Sequence, residues 1–428
     1  MSVEAITLGC RLNFAESEAL KARAADGTII VNSCAVTAEA VRQTRQAIRR
    51  ARRECPEARI VVTGCAAQLE PESFAAMPEV DLVLGNGAKH GPNPFVLSGG
   101  PQAGSRRALA QPPGMRPSTS LRTNEALGSA PVFSPDLAST APTVAAGFRQ
   151  RVRSFVAIQT GCDHRCTFCT IWQARGPSRS LAFDAIRDAV AKELDGGAAE
   201  IVLTGVDITS YEDGLGPLCE QLLAALPSLK RLRLSSLDSI EIDETLFALI
   251  AGEPRLMPHF HLSLQAGDDL ILKRMKRRHS RAQSVALVER IKAARPEATI
   301  GADLIAGFPT EGEEASLNSL RLLEDCDIVA VHVFPFSARP NTPAARMPQL
   351  ERETVKARSA RLREAAAKRR SAWLQSLVGT RQPVLIENKE KGHTDGFAPV
   401  FIAGSKRGDT GIATITGTKD DSLVGVFA

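Results

Sequence analysis

The sequence lacks the segments that would direct it into or across a membrane. No apolar run among its 428 residues is long enough to span a bilayer. The first ten residues show no basic segment followed by the apolar stretch of a secretory signal. Aromatic residues make up only 4% of the chain. We therefore expect a cytoplasmic protein with no membrane partner and few side chains for stacking on a nucleic-acid base.

The expected compartment also disfavours disulfides, because cytoplasmic thiols stay reduced. The chain nevertheless has nine cysteines, and we interpret the clustered ones as metal ligands. Three of them, the loop cysteines Cys162, Cys166 and Cys169, lie within eight residues. An iron–sulfur cubane usually takes four thiolates, so three leave one iron open for a cofactor or substrate. The loop follows Phe155–Ile158, a predicted strand, and α/β proteins place active sites at such strand ends.

The periodicity of apolar residues predicts three structured regions and a linker. Residues 1–97 alternate strands and helices and predict a parallel α/β domain. Residues 98–146 are rich in Pro, Gly, Ser and Ala and predict a flexible linker or insertion. Residues 147–378 predict a core of six βα units, a partial (β/α)6 barrel, with an open doubly wound sheet as the alternative. This core ends in a long charged helix, and residues 379–428 predict a small β-barrel.

Three further cysteines share one position relative to the predicted strands. These strand-end cysteines, Cys10, Cys34 and Cys65, each stand just past the carboxyl end of a strand, and such ends meet at one edge of a parallel sheet. Gly9 and Gly64 would let the backbone approach a bulky group closely. One such cysteine alone is more often an inert core residue. The threefold repetition favours a second metal cluster with three ligands.

Zinc is the alternative metal for the first motif, because the loop cysteines and His164 make a Cys3His donor set. His164 stands between ligands only four residues apart, where tetrahedral closure is awkward, so we favour the iron–sulfur cluster. The other cysteines lie in or near predicted helices and are expected to be structural; they are Cys55, Cys219 and Cys326.

The cysteine loop and many other segments resemble the radical S-adenosylmethionine (SAM) methylthiotransferases. Thr7–Asn13, Val31–Thr37 and Val62–Gln68 are similar to the three N-terminal cluster motifs of that family, and the C-terminal barrel resembles its RNA-binding TRAM domain. Further similar segments are 201–206, 262–267, 272–275, 303–309 and 333–337. Two features depart from the family pattern: the stretch from Cys10 to Cys34 is short, and the linker is long.

Within the family, Thr7–Asn13 is most similar to the branch that acts on threonylcarbamoyladenosine at position 37 of tRNA. Sister branches act on isopentenyladenosine at the same position, or on an aspartate of a ribosomal protein. A non-enzymatic iron–sulfur protein that binds RNA and senses redox state is the alternative from another class. The predicted barrel argues against it, because a sensor needs no cofactor pocket.

The resemblance implies two [4Fe–4S] clusters and SAM. The cluster on the loop cysteines would bind SAM through its open iron and cleave it reductively. The resulting deoxyadenosyl radical would remove hydrogen from C2 of the adenine. The cluster on the strand-end cysteines would hold the sulfur that is methylated and then delivered. The implied partners are the tRNA anticodon loop and a low-potential electron donor of flavodoxin or ferredoxin type.

Polar residues at the ends of the predicted barrel strands are expected to orient SAM, with ordinary polar capping of strand ends as the alternative. These candidates are Thr204, Gly205, Val206, Ser235, Ser236, Gln265 and Asp303.

Basic segments predict contact with the RNA backbone. Arg42–Arg53 carries six arginines, and Lys273–Arg278 is a compact basic run. For Glu351–Arg370, whose charge is mixed, we favour a solvated helix face. The target base would be splayed into the barrel mouth, and the candidates for stacking on it are Phe168, Trp172, Tyr211 and Phe336.

Overall fold

A computed structural model describes residues 2–90, 95, 121–122, 130–134, 137 and 152–428. The described residues form two compact units. The first unit comprises the described residues within 1–147, 159–164 and 169–181. The second unit comprises the described residues within 148–158, 165–168 and 182–428. None of the helices in these described ranges combines the length and apolar character needed to cross a membrane.

The first unit is built on a six-stranded sheet in the order β1-β2-β3-β4-β6-β5. All its neighbouring strands run parallel except β5, which is antiparallel to β6. The predicted parallel α/β fold of this region is therefore confirmed. The strands are β1 (Glu4–Thr7), β2 (Thr28–Ser33), β3 (Arg59–Gly64), β4 (Leu82–Leu84), β5 (Leu121–Arg122) and β6 (Val132–Phe133).

Two of these strands fall in residues 98–146, which the composition predicts as a linker. The rest of that interval lies outside the described residues, apart from 130, 131, 134 and 137. Where the structure describes it, the linker prediction needs correction, because β6 adds to the sheet beside β4. Two-residue strands are too short to give a periodic signal in the sequence.

Five helices complete the described part of the first unit. In the longest, the buried residues Val41, Thr44, Ile48 and Ala51 recur every three or four positions and face the sheet. The Thr37 hydroxyl accepts a hydrogen bond from the Ala40 amide and so caps this helix. A short ribbon of β8 (Gln159–Thr160) and β9 (Arg179–Ser180) also belongs here. The helices are α1 (Arg11–Lys21), α2 (Ala38–Glu54), α3 (Cys65–Leu69), α4 (Pro71–Ala75) and α5 (Ile171–Arg175).

The second unit contains two three-stranded parallel sheets, β11-β10-β7 and β12-β13-β14. A bridge between Leu237 and Leu262 connects them, so the six strands follow one another in chain order. That order has no reversal, which favours the predicted partial barrel over the doubly wound alternative. The strands are β7 (Arg153–Ala157), β10 (Glu200–Thr204), β11 (Leu232–Leu234), β12 (His259–Gln265), β13 (Thr299–Ala306) and β14 (Ile328–Pro335).

Helices follow most of these strands, as the βα repeat predicts. They are α6 (Phe183–Asp195), α7 (Leu215–Ala225), α8 (Glu244–Gly252), α9 (Asp269–Arg274), α10 (Arg281–Ala294) and α11 (Glu313–Asp325).

A long helix and a closed five-stranded barrel end the second unit. Helix α12 (Arg352–Ser376) packs along β14, the last strand of its sheet. The closed barrel confirms the predicted fold of residues 379–428, although the periodicity predicts only its first and last two strands. Its strands are β15 (Arg381–Asn388), β16 (Lys391–Thr394), β17 (Pro399–Ile402), β18 (Thr410–Lys419) and β19 (Ser422–Phe427).

Candidate active site and metal centres

The strand-end cysteines lie at the carboxyl ends of three adjacent parallel strands. Cys10 precedes α1 after β1, Cys34 follows β2, and Cys65 opens α3 directly after β3. Burial, and then the nearby Cys65 and Cys10 thiols, raise the pKa of Cys34 to about 12. The three thiols are therefore close enough to interact, and metal binding would have to displace their protons.

The two glycines beside these cysteines adopt the left-handed backbone region. Gly9 has φ of 100°, and a Cβ there would lie 2.9 Å from Cys34 Sγ. Gly64 has φ of 94°, and its Cβ would lie 2.4 Å from the carbonyl oxygen of Ser33. Neither position has room for a side chain. A bulky cluster ligated by sulfur fits this set of three thiols, around which the backbone packs closely.

A buried arginine that the sequence analysis does not single out contacts Cys65. Arg175, the last residue of α5, is 2% exposed, and its Nε donates to Cys65 Sγ over 3.3 Å. Its Nη1 and Nη2 donate to the two carboxylate oxygens of Glu16 over 2.7 and 2.9 Å. Nη2 also donates to Asn13 Oδ1 over 2.7 Å. Such a bidentate pair fixes the plane of the guanidinium.

Two more buried side chains complete this arrangement. The Lys89 ammonium pairs with Glu16, and the Asn86 amide lies 3.9 Å from Cys65 Sγ while donating to the Ala174 carbonyl over 2.7 Å. A sequence signal for these polar residues is the spacing Asn13-x2-Glu16, which puts both side chains on one face of α1. Arg175 itself carries no such signal, since it stands six positions after Cys169 and contacts a residue 110 positions away.

The loop cysteines are distributed over both units. In the first unit, the Cys162 amide donates to the Gly176 carbonyl over 3.1 Å, and the Ile171 amide lies 3.3 Å from Cys169 Sγ. In the second unit, Cys166 is buried. The Arg277 Nη1 lies 3.7 Å from Cys166 Sγ.

Arg277 holds its position at Cys166 through other groups of the second unit. Its Nη2 donates to Asp238 Oδ2 and to the Ser263 carbonyl, each over 2.9 Å. Its Nε is buried and has no partner among the residues that the structure describes. A buried donor without an acceptor points to a missing anionic or polar group. A sulfide of an iron–sulfur cluster or the carboxylate of SAM fits that need.

The arginines of the basic run Lys273–Arg278 already have partners within the second unit, so the predicted contact of this run with RNA stays a prediction. Arg274 donates to Thr310, Arg277 faces Cys166, and Arg278 pairs with Glu241. Lys273 and Lys276 are exposed, as is the paired Arg278. The arginines of α2 are also largely paired, for example Arg42 with Glu39 and Arg50 with Glu54.

The predicted SAM-orienting residues lie along the barrel strands. Thr204 is buried at the end of β10, and Gly205 and Val206 follow it half-buried. After β11, the Ser235 amide donates to Leu203, whereas Ser236 is exposed. Gln265 ends β12 with φ of 69°, a conformation that costs energy for a side chain with a Cβ.

Asp303 differs from the other candidates because it is already paired. It lies within β13, and its Oδ1 lies 2.9 Å from His261 Nε2 and 3.0 Å from His332 Nδ1. Although burial opposes ionisation, the two histidines lower the pKa of Asp303 far below its ordinary value. Sequence reasoning misses both histidines, which occupy the neighbouring strands β12 and β14.

The aromatic candidates for base stacking are not equally accessible. Tyr211 is 6% exposed and is therefore a core residue, which corrects the prediction. The Phe336 ring packs edge-on against Phe308 with 5.5 Å between ring centroids. Phe168 packs against the same core cluster, and Trp172 is half-buried in α5.

Comparisons with known proteins agree with this arrangement. Residues 156–323 match the model of the Radical SAM superfamily, and residues 2–85 match that of the uncharacterized protein family UPF0004. The superfamily implies a [4Fe–4S] cluster and SAM, which supports iron–sulfur over zinc at the loop cysteines. The fold resembles the radical SAM methyltransferase TsrM from Kitasatospora setae, with a TM-score of 0.50 and 16% identity, over 76% of this chain and 66% of that one.

The curated relatives extend the match over nearly the whole chain. The threonylcarbamoyladenosine tRNA methylthiotransferase MtaB of Rickettsia prowazekii is 40% identical, over 93% of this chain and 91% of its own. The MtaB of Thermotoga maritima is 33% identical, over 80% and 76%. The tRNA-2-methylthio-N(6)-dimethylallyladenosine synthase of Sorangium cellulosum is 30% identical, over 98% and 88%. The chain therefore belongs to the radical SAM methylthiotransferase family.

Proposed function

We propose that this chain transfers a methylthio group to C2 of N-threonylcarbamoyladenosine at position 37 of tRNA. The enzyme would use SAM and two [4Fe–4S] clusters, one on the loop cysteines and one on the strand-end cysteines. When bound, the clusters and SAM supply one-electron chemistry that attacks an unactivated C–H bond, together with the sulfur and methyl group that are transferred.

The observation that carries the second cluster is the buried charge around Cys65. Arg175 and Lys89 are both cations, and Glu16 is the one carboxylate that pairs with them among the residues that the structure describes. All three side chains are at most 2% exposed. An unbalanced buried charge is costly unless a partner compensates it. A thiolate-ligated cluster at Cys65 is an anion in the required place.

The second unit contributes the residues expected to bind and orient SAM. Thr204 and Gly205 end a central strand, where backbone groups can hydrogen-bond a bound methionine moiety. Arg277 offers its unpaired Nε–H to an acceptor near Cys166. Asp303 is held as a carboxylate by His261 and His332, so it can only accept hydrogen bonds, as from ribose hydroxyls.

The substrate assignment is supported by the relatives. The two named for threonylcarbamoyladenosine are 40% and 33% identical, and the one named for dimethylallyladenosine is 30% identical. The barrel at residues 379–428 would bind tRNA, and a low-potential flavodoxin or ferredoxin would supply electrons.

The test is nucleoside analysis of tRNA from a bacterial strain that lacks this modification and expresses the chain. We expect 2-methylthio-N-threonylcarbamoyladenosine to appear, and to be absent when Cys166→Ala is expressed instead. Appearance of the methylthio form of isopentenyladenosine would overturn the assigned substrate. Unmodified tRNA with a methylthiolated ribosomal protein would overturn the assignment of tRNA.

A further inference from the structure

Arg175 donates a hydrogen bond from Nε to the sulfur of Cys65, a candidate cluster ligand. Each oxygen of Glu16 already takes one N–H from its guanidinium, and Asn13 takes another. Because those bonds fix the guanidinium plane, the Nε–H remains directed at Cys65 Sγ. Hydrogen bonds to ligand sulfurs are among the features that set the potential of an iron–sulfur cluster.

The charge around this hydrogen bond acts in the same direction. The Arg175–Glu16–Lys89 network has two cationic side chains and one carboxylate, so it carries one surplus positive charge beside Cys65. A positive charge in a low-dielectric site favours the more negative, reduced state of a neighbouring cluster.

We propose that Arg175 is a positioning residue that sets the reduction potential of the cluster on the strand-end cysteines. Its hydrogen bond to Cys65 and the surplus charge of its network raise that potential, so the cluster accepts an electron more readily. This inference rests on the second cluster assigned under the proposed function.

The test uses the full chain with Cys162, Cys166 and Cys169 replaced by alanine, so that any remaining cluster belongs to the strand-end cysteines. After anaerobic reconstitution, iron and sulfide are counted, and the midpoint potential is measured by electron paramagnetic resonance during a redox titration. In that background we compare Arg175→Gln, Arg175→Lys and Lys89→Met. The matched control is Arg52→Gln, since Arg52 pairs with Asp81, a residue that also binds the Ile60 amide near the start of β3.

The parent for these comparisons is the chain with the three loop cysteines replaced by alanine. At the midpoint potential of this parent, we expect Arg175→Gln to lower the ratio of reduced to oxidised cluster about tenfold, a shift of about 59 mV to lower potential. Lys89→Met removes the surplus charge but leaves the contact with Cys65, so it shifts the potential the same way by less. Arg175→Lys keeps the positive charge but loses the planar guanidinium that holds the hydrogen bond in place. Its midpoint potential should therefore fall between those of the parent and Arg175→Gln. Arg52→Gln leaves the potential unchanged.

The outcomes separate this inference from the function on which it rests. A parent without iron overturns the second cluster and this role of Arg175 together. A parent with about four iron ions, whose potential is the same in Arg175→Gln and Lys89→Met, overturns only the role of Arg175. If Arg175→Gln fails to hold iron, the midpoint potential of Lys89→Met decides the matter. A shift to lower potential supports the inference, and an unchanged potential overturns it.

Discussion

Cys65 links the chemistry of the N-terminal unit to its architecture, because it is both the first residue of α3 and the acceptor of the Arg175 hydrogen bond. The residues around it have little freedom. Ser33 Oγ donates to the Thr63 carbonyl over 2.5 Å and accepts from the Ala67 amide over 3.0 Å, which ties the ends of β2 and β3 to α3. The hydrogen bonds of the Ser33 hydroxyl therefore fix the chain beside Cys34 and Cys65. We expect the site to be preorganised for its metal.

Replacement of the strand-end cysteines by alanine should separate the two halves of the reaction. We expect the triple variant Cys10→Ala, Cys34→Ala, Cys65→Ala to keep about half of the parent's eight iron ions. It should still form deoxyadenosine from SAM under reduction but yield no methylthio nucleoside. Iron analysis, chromatography of deoxyadenosine and nucleoside mass spectrometry give the three readouts. Cys55→Ala is the control, since Cys55 lies at the end of α2. Loss of deoxyadenosine formation in the triple variant would contradict the separate roles assigned to the two clusters.

The close backbone contact at Gly64 can be tested by substitution. Gly64→Ala forces a Cβ to within 2.4 Å of the Ser33 carbonyl oxygen, in addition to the strain of a φ of 94°. Gly27→Ala meets only the strain, because φ is 79° there and nothing lies within 4 Å. We expect Gly27→Ala to cost about 1 kcal/mol of stability and Gly64→Ala to cost more and to lose iron from the strand-end site. Thermal unfolding and iron content measure both, and equal costs would contradict the assigned contact.

Helix α9 and the loop after it show, at the scale of the element, why charge in the sequence is an unreliable guide to a nucleic-acid surface. Five of the six residues in Lys273–Arg278 are basic, yet the arginines of this run find partners far along the chain, such as Arg277 with Asp238 and Cys166. A local pattern cannot reveal partners that only the barrel brings near. The cysteines were predictable for the opposite reason, since β1, β2 and β3 are regular parallel neighbours whose ends must meet.

The two exposed lysines of this run give a test of its remaining RNA role. We expect Lys273→Ala with Lys276→Ala to weaken tRNA binding and to reduce the slope of log affinity against log salt by about 1.5, since each phosphate contact contributes about 0.7–0.9. Filter binding at several salt concentrations measures the slope. The matched control is Lys192→Ala with Lys230→Ala, which removes two exposed lysines elsewhere in the second unit. An equal change of slope in both double variants would show that the effect is one of net charge alone.

At the scale of the whole molecule, the second unit is held together by a buried carboxylate and an aromatic ring. Glu200, on β10, accepts hydrogen bonds from Arg153 on β7 and from Arg231 and Arg233 at the start of β11, the two strands that flank β10. The ring of Phe397, from the C-terminal barrel, lies 4.8 Å from the Arg233 guanidinium and stacks on His259. The C-terminal barrel is therefore docked on the (β/α)6 core through this cluster. Periodicity predicts both folds but not their contact, because Glu200 and Phe397 carry no pattern that relates them.

Glu200→Gln tests how much this cluster contributes to the stability of the second unit. Despite full burial, Arg233 and Arg153 lower the pKa of Glu200 far below its ordinary value of 4.5. The carboxylate therefore stabilises the fold fully above pH 4.5, and this contribution is lost as the pH falls below that value. We expect the variant to lose about 3–5 kcal/mol of unfolding free energy at pH 7, because the buried Arg233 loses the one carboxylate that pairs with it among the described residues.

Urea unfolding at a series of pH values measures this contribution. The difference between parent and Glu200→Gln should be constant from pH 7 to pH 5 and should shrink below pH 4.5, because only the parent has a carboxylate to protonate. Glu220→Gln on the exposed side of α7 is the control and should match the parent throughout. A difference that grew as the pH fell would reverse the assigned sign. It would mean that Glu200 is neutral in the folded chain and that the arginines are balanced by Asp395 and Glu387 instead.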